Sequence, residues 1–371
     1  MQEKKRVAIV IPVYREMPTE LEKVHFQRLA KLYKNRYPIF LFVPENLKLD
    51  AYQRLLPSLS VLRMSARHFQ GLESYNELML SPAFYEIWLQ RGYSHILLWQ
   101  PDVFLLGDQL EAFLRMPYDY IGGPLFKVVD SKPFLYGGNG GLSLRSCHAC
   151  ATVLQSHRRE LIAWHENEDE VFSLLAMKYP EEFSAAPLDI AMQFAFDRFG
   201  RVLWERNGRR LPMGLHGWFR YDPAFYRKLI QNADSEASLP VLLDLRAERE
   251  KALRDFLDGY DNLYLYGAGD WGKVFYHALT CSGYSVKGFI VSDGERMPES
   301  CCGKPVYPLQ QVPVGESLGV VTAISWRYRA EQVFSSIVSN LHKKGIYAVF
   351  RTDMVLYNAA IEEWLREGEK Q

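Results

Sequence analysis

The chain has 371 residues, of which 48% are hydrophobic and 24% are charged, as in an ordinary globular protein. This length exceeds that of a usual single domain, so we expect two domains. Its Lys and Arg residues number 44 and equal its 44 Asp and Glu residues, which gives no global reason to expect a nucleic-acid partner.

The cysteines and the N-terminus favour a reducing compartment. An odd number of cysteines, five, argues against a disulfide framework in so long a chain. The opening stretch MQEKKRVAIVIPVYRE has a short apolar run interrupted by Pro12, which predicts a first strand and not a signal peptide. No run approaches the roughly 18 to 20 apolar residues that span a bilayer. We therefore expect a cytoplasmic location, with peripheral membrane association left open.

Strand and helix signals alternate over the first hundred residues, a pattern typical of parallel βαβ units. RVAIVIPVY precedes a helix from about Thr19, where Glu22 stands at capping-box spacing. Strands at 38–45 and 61–65 follow, and a helix interrupted near Pro82 leads to the apolar strand HILLWQPDVFLL. Beyond it we expect shorter strands, YDYIGG and GGNGGLSLR, separated by loops.

The polar stretch NADSEASLP, residues 232–240, indicates a linker. A charged helix at about 241–257 and a fresh strand, NLYLYGAGDWG, follow it. We therefore predict one domain over 1–231, a linker and connecting helix over 232–257, and a second α/β domain over 258–371.

Polar residues follow three of the predicted strands. Tyr14 and Arg15 come after the first, Glu45 after the second and Asp102 after the apolar part of the fourth. Ligands of parallel sheets bind beyond the carboxyl ends of the strands, so these side chains are expected to face one crevice. For Asp102, a helix N-cap or an exposed strand end is the alternative.

The order of these pieces resembles the nucleotide-binding half of GT-A glycosyltransferases. A strand ends in PVYRE, with Pro12; a helix with Asn76 follows; and an apolar strand ends in a carboxylate. In that family an Asp-x-Asp signature closes this strand, whereas here Gln100, Pro101 and Asp102 stand in its place. The resemblance implies that Gln100 bonds a ribose hydroxyl and that Asp102 binds Mn²⁺ or Mg²⁺.

Three later motifs, GGNGGLSLR, HENEDEVF and PMGLHGWF, extend the resemblance over roughly residues 5–225. Together with QPD they look like a GT-A-type glycosyltransferase family known mainly as a domain of unassigned function. The resemblance implies a hexosyltransferase, which moves a sugar from a UDP- or GDP-linked donor to a glycan or other hydroxyl acceptor. Synthesis of bacterial surface polysaccharide is the context that family analogy suggests. The resemblance does not determine whether the anomeric configuration is inverted or retained, and it does not determine the oligomeric state.

The glycine-rich motif permits close approach of the backbone to a sugar or diphosphate around Asn139, Gly140 and Gly141. A glycine-rich hairpin without a ligand is the alternative. In HENEDEVF, Asp169 or Glu168 is expected to act as general base toward the acceptor hydroxyl, as the acidic pair does in many inverting GT-A enzymes. Acids at a helix N-terminus also occur for structural reasons alone.

His216, in the loop-like GLHGWF, is the second expected ligand of the cation, because some metal-dependent GT-A enzymes supply a late histidine to it. A structural histidine is the alternative. Trp218 is expected either to stack on the substrate or to lie in the core.

The second domain carries GAGDWG, a match to the dinucleotide fingerprint, with Gly267, Gly269 and Gly272, and Asp293 at the distance of a ribose-binding acid. An NAD(P)-dependent oxidoreductase or epimerase is therefore an alternative function. The domain also resembles small Rossmann-like modules attached to bacterial glycosyltransferases. A third alternative, favoured by the missing first Asp of the signature, is a non-catalytic nucleotide-sugar-binding protein.

Overall fold

The computed structural model describes residues 6–130, 132–161, 167–294, 298–313, 315, 317–324 and 330–367. Contacts between Cα atoms divide the chain into two units. The first comprises Met1–Phe126, Leu135–Phe219 and Pro223–Leu242, and the second comprises Lys127–Phe134, Arg220–Asp222 and Leu243–Gln371. Both contain helices around a mixed sheet, so the predicted α/β class, with a second and smaller α/β part, is confirmed.

Nine described strands, which belong to the first unit except for residues 127–129 and 132–134, form two sheets. They are β1 (Val7–Pro12), β2 (Ile39–Pro44), β3 (Ser60–Met64), β4 (His95–Trp99), β5 (Val103–Leu105), β6 (Tyr120–Val129), β7 (Lys132–Ser146), β8 (Ala195–Phe196) and β9 (Gly214–His216). The large sheet has the order β3-β2-β1-β4-β7-β6, and the small sheet has the order β5-β9-β8. Strands β1 to β4 run parallel, and β7 pairs antiparallel with β4.

Eleven α-helices are described around these sheets. They are α1 (Glu20–Tyr33), α2 (Asp50–Leu55), α3 (Leu72–Met79), α4 (Pro82–Gln90), α5 (Leu110–Leu114), α6 (Cys147–Ser156), α7 (Arg158–Leu161), α8 (Glu168–Lys178), α9 (Leu188–Phe194), α10 (Gly200–Arg206) and α11 (Pro223–Ala233). Helix α1 begins with the expected capping box, in which Thr19 Oγ1 accepts from the Glu22 N–H and Glu22 Oε2 accepts from the Thr19 N–H. The expected interruption near Pro82 separates α3 from α4.

The large sheet buries both faces. Along β1, Ile9 and Ile11 pack in one hydrophobic cluster, while Ala8 and Val10 pack in another. Successive side chains of a strand point to opposite faces, so this continuous apolar strand fills a core on each side.

Three expected elements differ from the structure. The stretch HILLWQPDVFLL is two strands in different sheets, because a turn closed by Val103 N–H to Gln100 O (2.9 Å) lies between them and Pro101 has no N–H for a ladder. Strands β6 and β7, with 10 and 15 residues, are long and not short. The glycines let them approach closely, since a Cβ on Gly122 would lie 2.3 Å from the Asn139 carbonyl oxygen.

The second unit has one six-stranded sheet. Its elements are α12 (Arg246–Leu257), β10 (Asn262–Tyr266), α13 (Asp270–Cys281), β11 (Val286–Val291), β12 (Ser300–Cys301), β13 (Lys304–Pro308), β14 (Leu318–Thr322), α14 (Ala330–Lys343), β15 (Val349–Arg351) and α15 (Met354–Glu367). The strand order is β12-β13-β11-β10-β14-β15. The charged helix begins at Arg246 and not near residue 241, and α11 extends to Ala233, inside the expected linker.

Candidate functional site

His216 ends the central strand of the small sheet, and not a loop as its sequence suggested. Strand β5 pairs antiparallel with β9 and sets Val103 opposite His216, so Asp102, just before β5, comes beside the imidazole. Strand β8 runs parallel to β9 on the other side, and its register brings Asp197, just after β8, beside the same ring. The two strand pairings thus put one carboxylate on each side of His216.

The two ring nitrogens of His216 face different partners. Nε2 lies 3.2 Å from Gln100 Oε1 and 3.4 Å from Asp102 Oδ1. Nδ1 lies 3.7 Å from Asp197 Oδ2, an ion-pair distance longer than a hydrogen bond. One side of the ring therefore faces two oxygens from the turn at residues 100–102 (the QPD turn), and the other side faces Asp197.

Gly141 lets the backbone of β7 pass against this ring. A Cβ on Gly141 would lie 2.2 Å from His216 Nε2, which is shorter than the contacts that Cβ atoms make in proteins. The Gly141 carbonyl accepts from the Gln100 N–H at 2.9 Å, which ties the QPD turn to β7. The glycine is therefore needed for close packing around Nε2.

The charges around His216 favour its protonated form. Burial on its own would lower the pKa of His216, but the carboxylates of Asp102 and Asp197 raise that pKa to about 10. Without a cation the two carboxylates therefore favour a proton on the ring, and a cation at Nε2 would have to displace the proton from that nitrogen.

The start of α8 separates the two candidate bases. Each oxygen of Glu168 lies 3.0 Å from one guanidinium nitrogen of Arg145, and both side chains are buried. Burial raises the pKa of Glu168, while Arg145 opposes that rise. Arg145 also donates to the Tyr85 hydroxyl at 3.0 Å and to Ser143 Oγ at 2.9 Å. The role of Glu168 as base stays a prediction, and the buried pair with Arg145 favours Asp169 over it.

Asp169 is placed differently. Its Oδ2 accepts from the Gly140 N–H at 3.2 Å, and its Oδ1 accepts from the Glu170 N–H at 2.9 Å. Burial raises its pKa, and these backbone hydrogen bonds counteract the rise. Gly140 contacts Asp169, and the next residue, Gly141, contacts His216. These two glycines therefore connect the N-terminus of α8 to His216.

Asn139 and Trp218 are both buried, and the structure gives each of them protein partners. The Asn139 amide donates to Asp197 Oδ2 at 3.0 Å, and its oxygen accepts from the Gly141 N–H at 3.1 Å. Trp218 is fully buried and its Nε1 donates to His25 Nε2 at 3.1 Å, so it belongs to the core.

The remaining predicted residues lie around the carboxyl ends of β1 and β2. Pro12 is buried at the end of β1, whereas Tyr14 and Arg15 are exposed, and Arg15 pairs with Glu22 at 2.6 Å. Glu45 is exposed after β2. These side chains are at the sheet edge to which Gln100 belongs.

Asn76 connects α3 to the residues that begin α8. Its Nδ2 donates to Asn167 Oδ1, and its Oδ1 accepts from the Glu168 N–H, both at 3.4 Å. It therefore contacts the acidic helix start, whose first two motif residues, 165 and 166, lie outside the described part of the chain.

The donor set fits a divalent cation at Nε2. Neighbouring ligands of a small divalent ion bound at about 2.1 Å are about 3 Å apart, and the oxygens of Gln100 and Asp102 lie 3.2 and 3.4 Å from Nε2. Imidazole and carboxylate together suit Mn²⁺. Within the described ranges, no three His, Cys, Asp or Glu side chains are arranged around one ion, so an amide oxygen or a substrate would have to complete this set.

Sequence reasoning missed Asp197 and Arg145. Asp197 follows the short apolar strand β8, and the rule that singled out Asp102, a carboxylate at the end of an apolar strand, would have found it. No local signal marks Arg145 as the partner of Glu168, since 23 residues separate them.

A cleft of about 600 Å³ in the second unit lies at the carboxyl ends of β10, β11 and β14. The expected Gly267 and Gly269 line it, together with Ser292 and the α14 face. Gly272 packs against the backbone of Gly267, since a Cβ on Gly272 would lie 2.0 Å from the Gly267 carbonyl oxygen. Asp293 instead accepts from the Gln310 N–H at 3.0 Å.

The family model described as a protein of unknown function, DUF5672, matches residues 58–216. That range holds the QPD, glycine-rich and acidic motifs and ends at His216. No curated protein matches the chain.

Solved structures of glycosyltransferases match at low identity. The bifunctional glycosyltransferase WbbM is 12% identical over 63% of this chain and 50% of its own, with a TM-score of 0.40. The glycosyltransferase GlyE of Streptococcus pneumoniae TIGR4 is 12% identical over 91% of this chain and 100% of its own (TM-score 0.37). The galactosyltransferase LgtC, solved with donor and acceptor sugar analogs, is 11% identical over 63% and 97% (TM-score 0.37). This chain thus spans half the length of WbbM.

Among the described residues, the helices are too short or too polar to cross a membrane.

Proposed function

We propose that this chain is a glycosyltransferase of the GT-A type, which moves a sugar from a UDP- or GDP-linked donor to a hydroxyl of a glycan acceptor. The observation that carries the proposal is the meeting of Asp102, Gln100 and His216 beyond β4, with Asp169 joined to them through Gly140 and Gly141. Synthesis of bacterial surface polysaccharide, the hexosyl nature of the sugar and the cytoplasmic location remain predictions.

Asp102, His216 and Gln100 are the residues that would hold Mn²⁺ or Mg²⁺. A divalent cation bound there would supply positive charge for the diphosphate of the leaving nucleotide. Gln100 also donates to the Tyr75 hydroxyl at 3.4 Å, which fixes the amide so that its oxygen points at His216.

Asp169 is the proposed base. Its raised pKa makes it a better proton acceptor than an exposed aspartate, while two backbone N–H groups orient the carboxylate. It would take the proton of the acceptor hydroxyl as that oxygen attacks the sugar, which presumes inversion at the anomeric carbon. Arg145 and Glu168 support this position by fixing the first residue of α8.

The test is a thermal-shift panel of UDP- and GDP-sugars with and without Mn²⁺, followed by assay of donor hydrolysis and transfer. Asp102→Asn is expected to abolish turnover, and Asp189→Asn, at an exposed position of α9, is the matched control. Full turnover by Asp102→Asn contradicts the assigned role. Donor binding without turnover for any acceptor favours the non-catalytic alternative.

The cleft beside Gly267 and Gly269 favours a second candidate function, an NAD(P)-dependent oxidoreductase or epimerase. Gly269 has open space where a side chain would begin, so Gly269→Val is expected to fold and to obstruct the cleft. Tight NADH binding that is lost in this variant supports the candidate. Absence of NADH binding to the wild-type chain removes it.

A further inference from the structure

We propose that Asp197 is a positioning residue that keeps a proton on Nδ1 of His216, so that Nε2 offers its lone pair to a divalent cation beside Asp102 and Gln100. This inference rests on the proposed function, because it concerns the same cation. It assigns a role to a residue that no sequence motif singled out.

The geometry excludes Asp197 as a further direct ligand of that cation. The two nitrogens of an imidazole point to opposite sides of the ring, and Asp197 lies 3.7 Å from Nδ1 while Gln100 and Asp102 face Nε2. One ion cannot contact both sides. A carboxylate behind a ligating histidine instead fixes its tautomer and orientation.

Asp197 is itself firmly held. Its Oδ2 accepts from the Asn139 amide at 3.0 Å, and its backbone carbonyl accepts from the Tyr226 hydroxyl at 2.7 Å. Asn139 Oδ1 accepts from the N–H of Gly141, the residue that packs against Nε2. Asn139 thus links the groups on both sides of the ring, a positioning role in place of the expected sugar contact.

Two buried atoms still have hydrogen-bonding capacity here. Within the described part of the chain, His216 Nδ1 and Asp197 Oδ1 have no hydrogen-bond partner, although their side chains are only about one-tenth exposed. Buried polar groups are normally paired, and the carboxylate of Asp197 lies on the side of the ring that Nδ1 faces, 3.7 Å away at Oδ2. A protonated Nδ1 can donate a hydrogen bond, and the carboxylate of Asp197 can accept it.

The test measures Mn²⁺ affinity of the free protein by electron paramagnetic resonance, without donor or acceptor. Asp197→Asn keeps the side-chain size and is expected to weaken Mn²⁺ binding about 10- to 100-fold. Asp189→Asn is the exposed control and is expected to bind like wild type. Asn139→Ala is expected to weaken binding less, and to add little in the Asp197→Asn background because it acts through Asp197.

The outcomes separate this inference from the proposed function. If Asp102→Asn loses Mn²⁺ while Asp197→Asn retains wild-type affinity, the positioning role is overturned and the cation site stands. If Asp102→Asn binds Mn²⁺ like wild type, the proposed cation site itself fails. Circular dichroism of each variant checks that weaker binding is not loss of fold, and additive effects of Asn139→Ala contradict the link through Asp197.

Discussion

Two guanidinium nitrogens of Arg145 each lie 3.0 Å from an oxygen of the Glu168 carboxylate, and water is excluded from both side chains. The pair joins the glycine-rich strand β7 to the first residue of α8. It therefore links the fold of the first unit to the placement of Asp169, the next residue.

Removal of one partner of this pair is expected to destabilise the fold. Arg145→Met leaves the Glu168 carboxylate buried without its counter-charge, at a cost of about 3–5 kcal/mol in the free energy of unfolding. Urea unfolding followed by circular dichroism measures it. Lys251→Met, which breaks the exposed pair with Asp255, is the control and should change little. Equal effects of the two variants would contradict the importance of burial.

Substitutions of Asp169 and Glu168 are expected to affect different quantities, kcat for Asp169 and stability for Glu168. Asp169→Asn keeps the shape of the side chain and removes its basicity, so kcat should fall by about 10²- to 10⁴-fold with donor affinity retained. Glu168→Gln should chiefly lower stability, and its folded fraction should keep a near-normal kcat. Steady-state kinetics and donor titration test both, with the exposed Glu181→Gln as control. A larger kcat loss in Glu168→Gln would reverse the assignment.

The sequence predicts the parallel strands and places Asp102 and His216 among the candidates, because strand ends and motif order are local signals. The split of the QPD strand depends on Pro101 and on pairing with β9, more than a hundred residues later. Adjacent residues Glu168 and Asp169 look alike in sequence. Only the tertiary position of Arg145 shows that one is paired and the other contacts the Gly140 N–H. Asp197 is brought to His216 by register between two short strands, which sequence periodicity does not specify.

Protonation of His25 is expected to lower the free energy of unfolding as the solution becomes acidic. Its Nδ1 donates to the Pro101 carbonyl (2.8 Å) and its Nε2 accepts from Trp218, so the ring is neutral. Burial lowers its pKa to about 4. The unfolded chain binds this proton near pH 6.5, so the stabilisation is complete above that pH and is lost as the pH falls to about 4, on the order of 3 kcal/mol.

The check is the free energy of unfolding of His25→Gln between pH 7 and pH 4, compared with wild type and with the exposed His148→Gln. The His25 variant should be less stable at pH 7 and should show a shallower loss toward pH 4. An unchanged slope would mean that other groups account for the acid sensitivity.

Gly141→Ala tests the close packing at the candidate cation site. The added methyl would lie 2.2 Å from His216 Nε2, so the ring must move away from Asp102 and Gln100. We expect overpacking to cost about 1–3 kcal/mol of stability and Mn²⁺ affinity to fall at least about tenfold, because the moved nitrogen no longer meets the two oxygens. Gly269→Ala, where nothing lies within 4 Å of the new Cβ, is the matched control. Thermal unfolding and Mn²⁺ titration give the two quantities, and wild-type affinity in Gly141→Ala would show that Nε2 does not bind the ion.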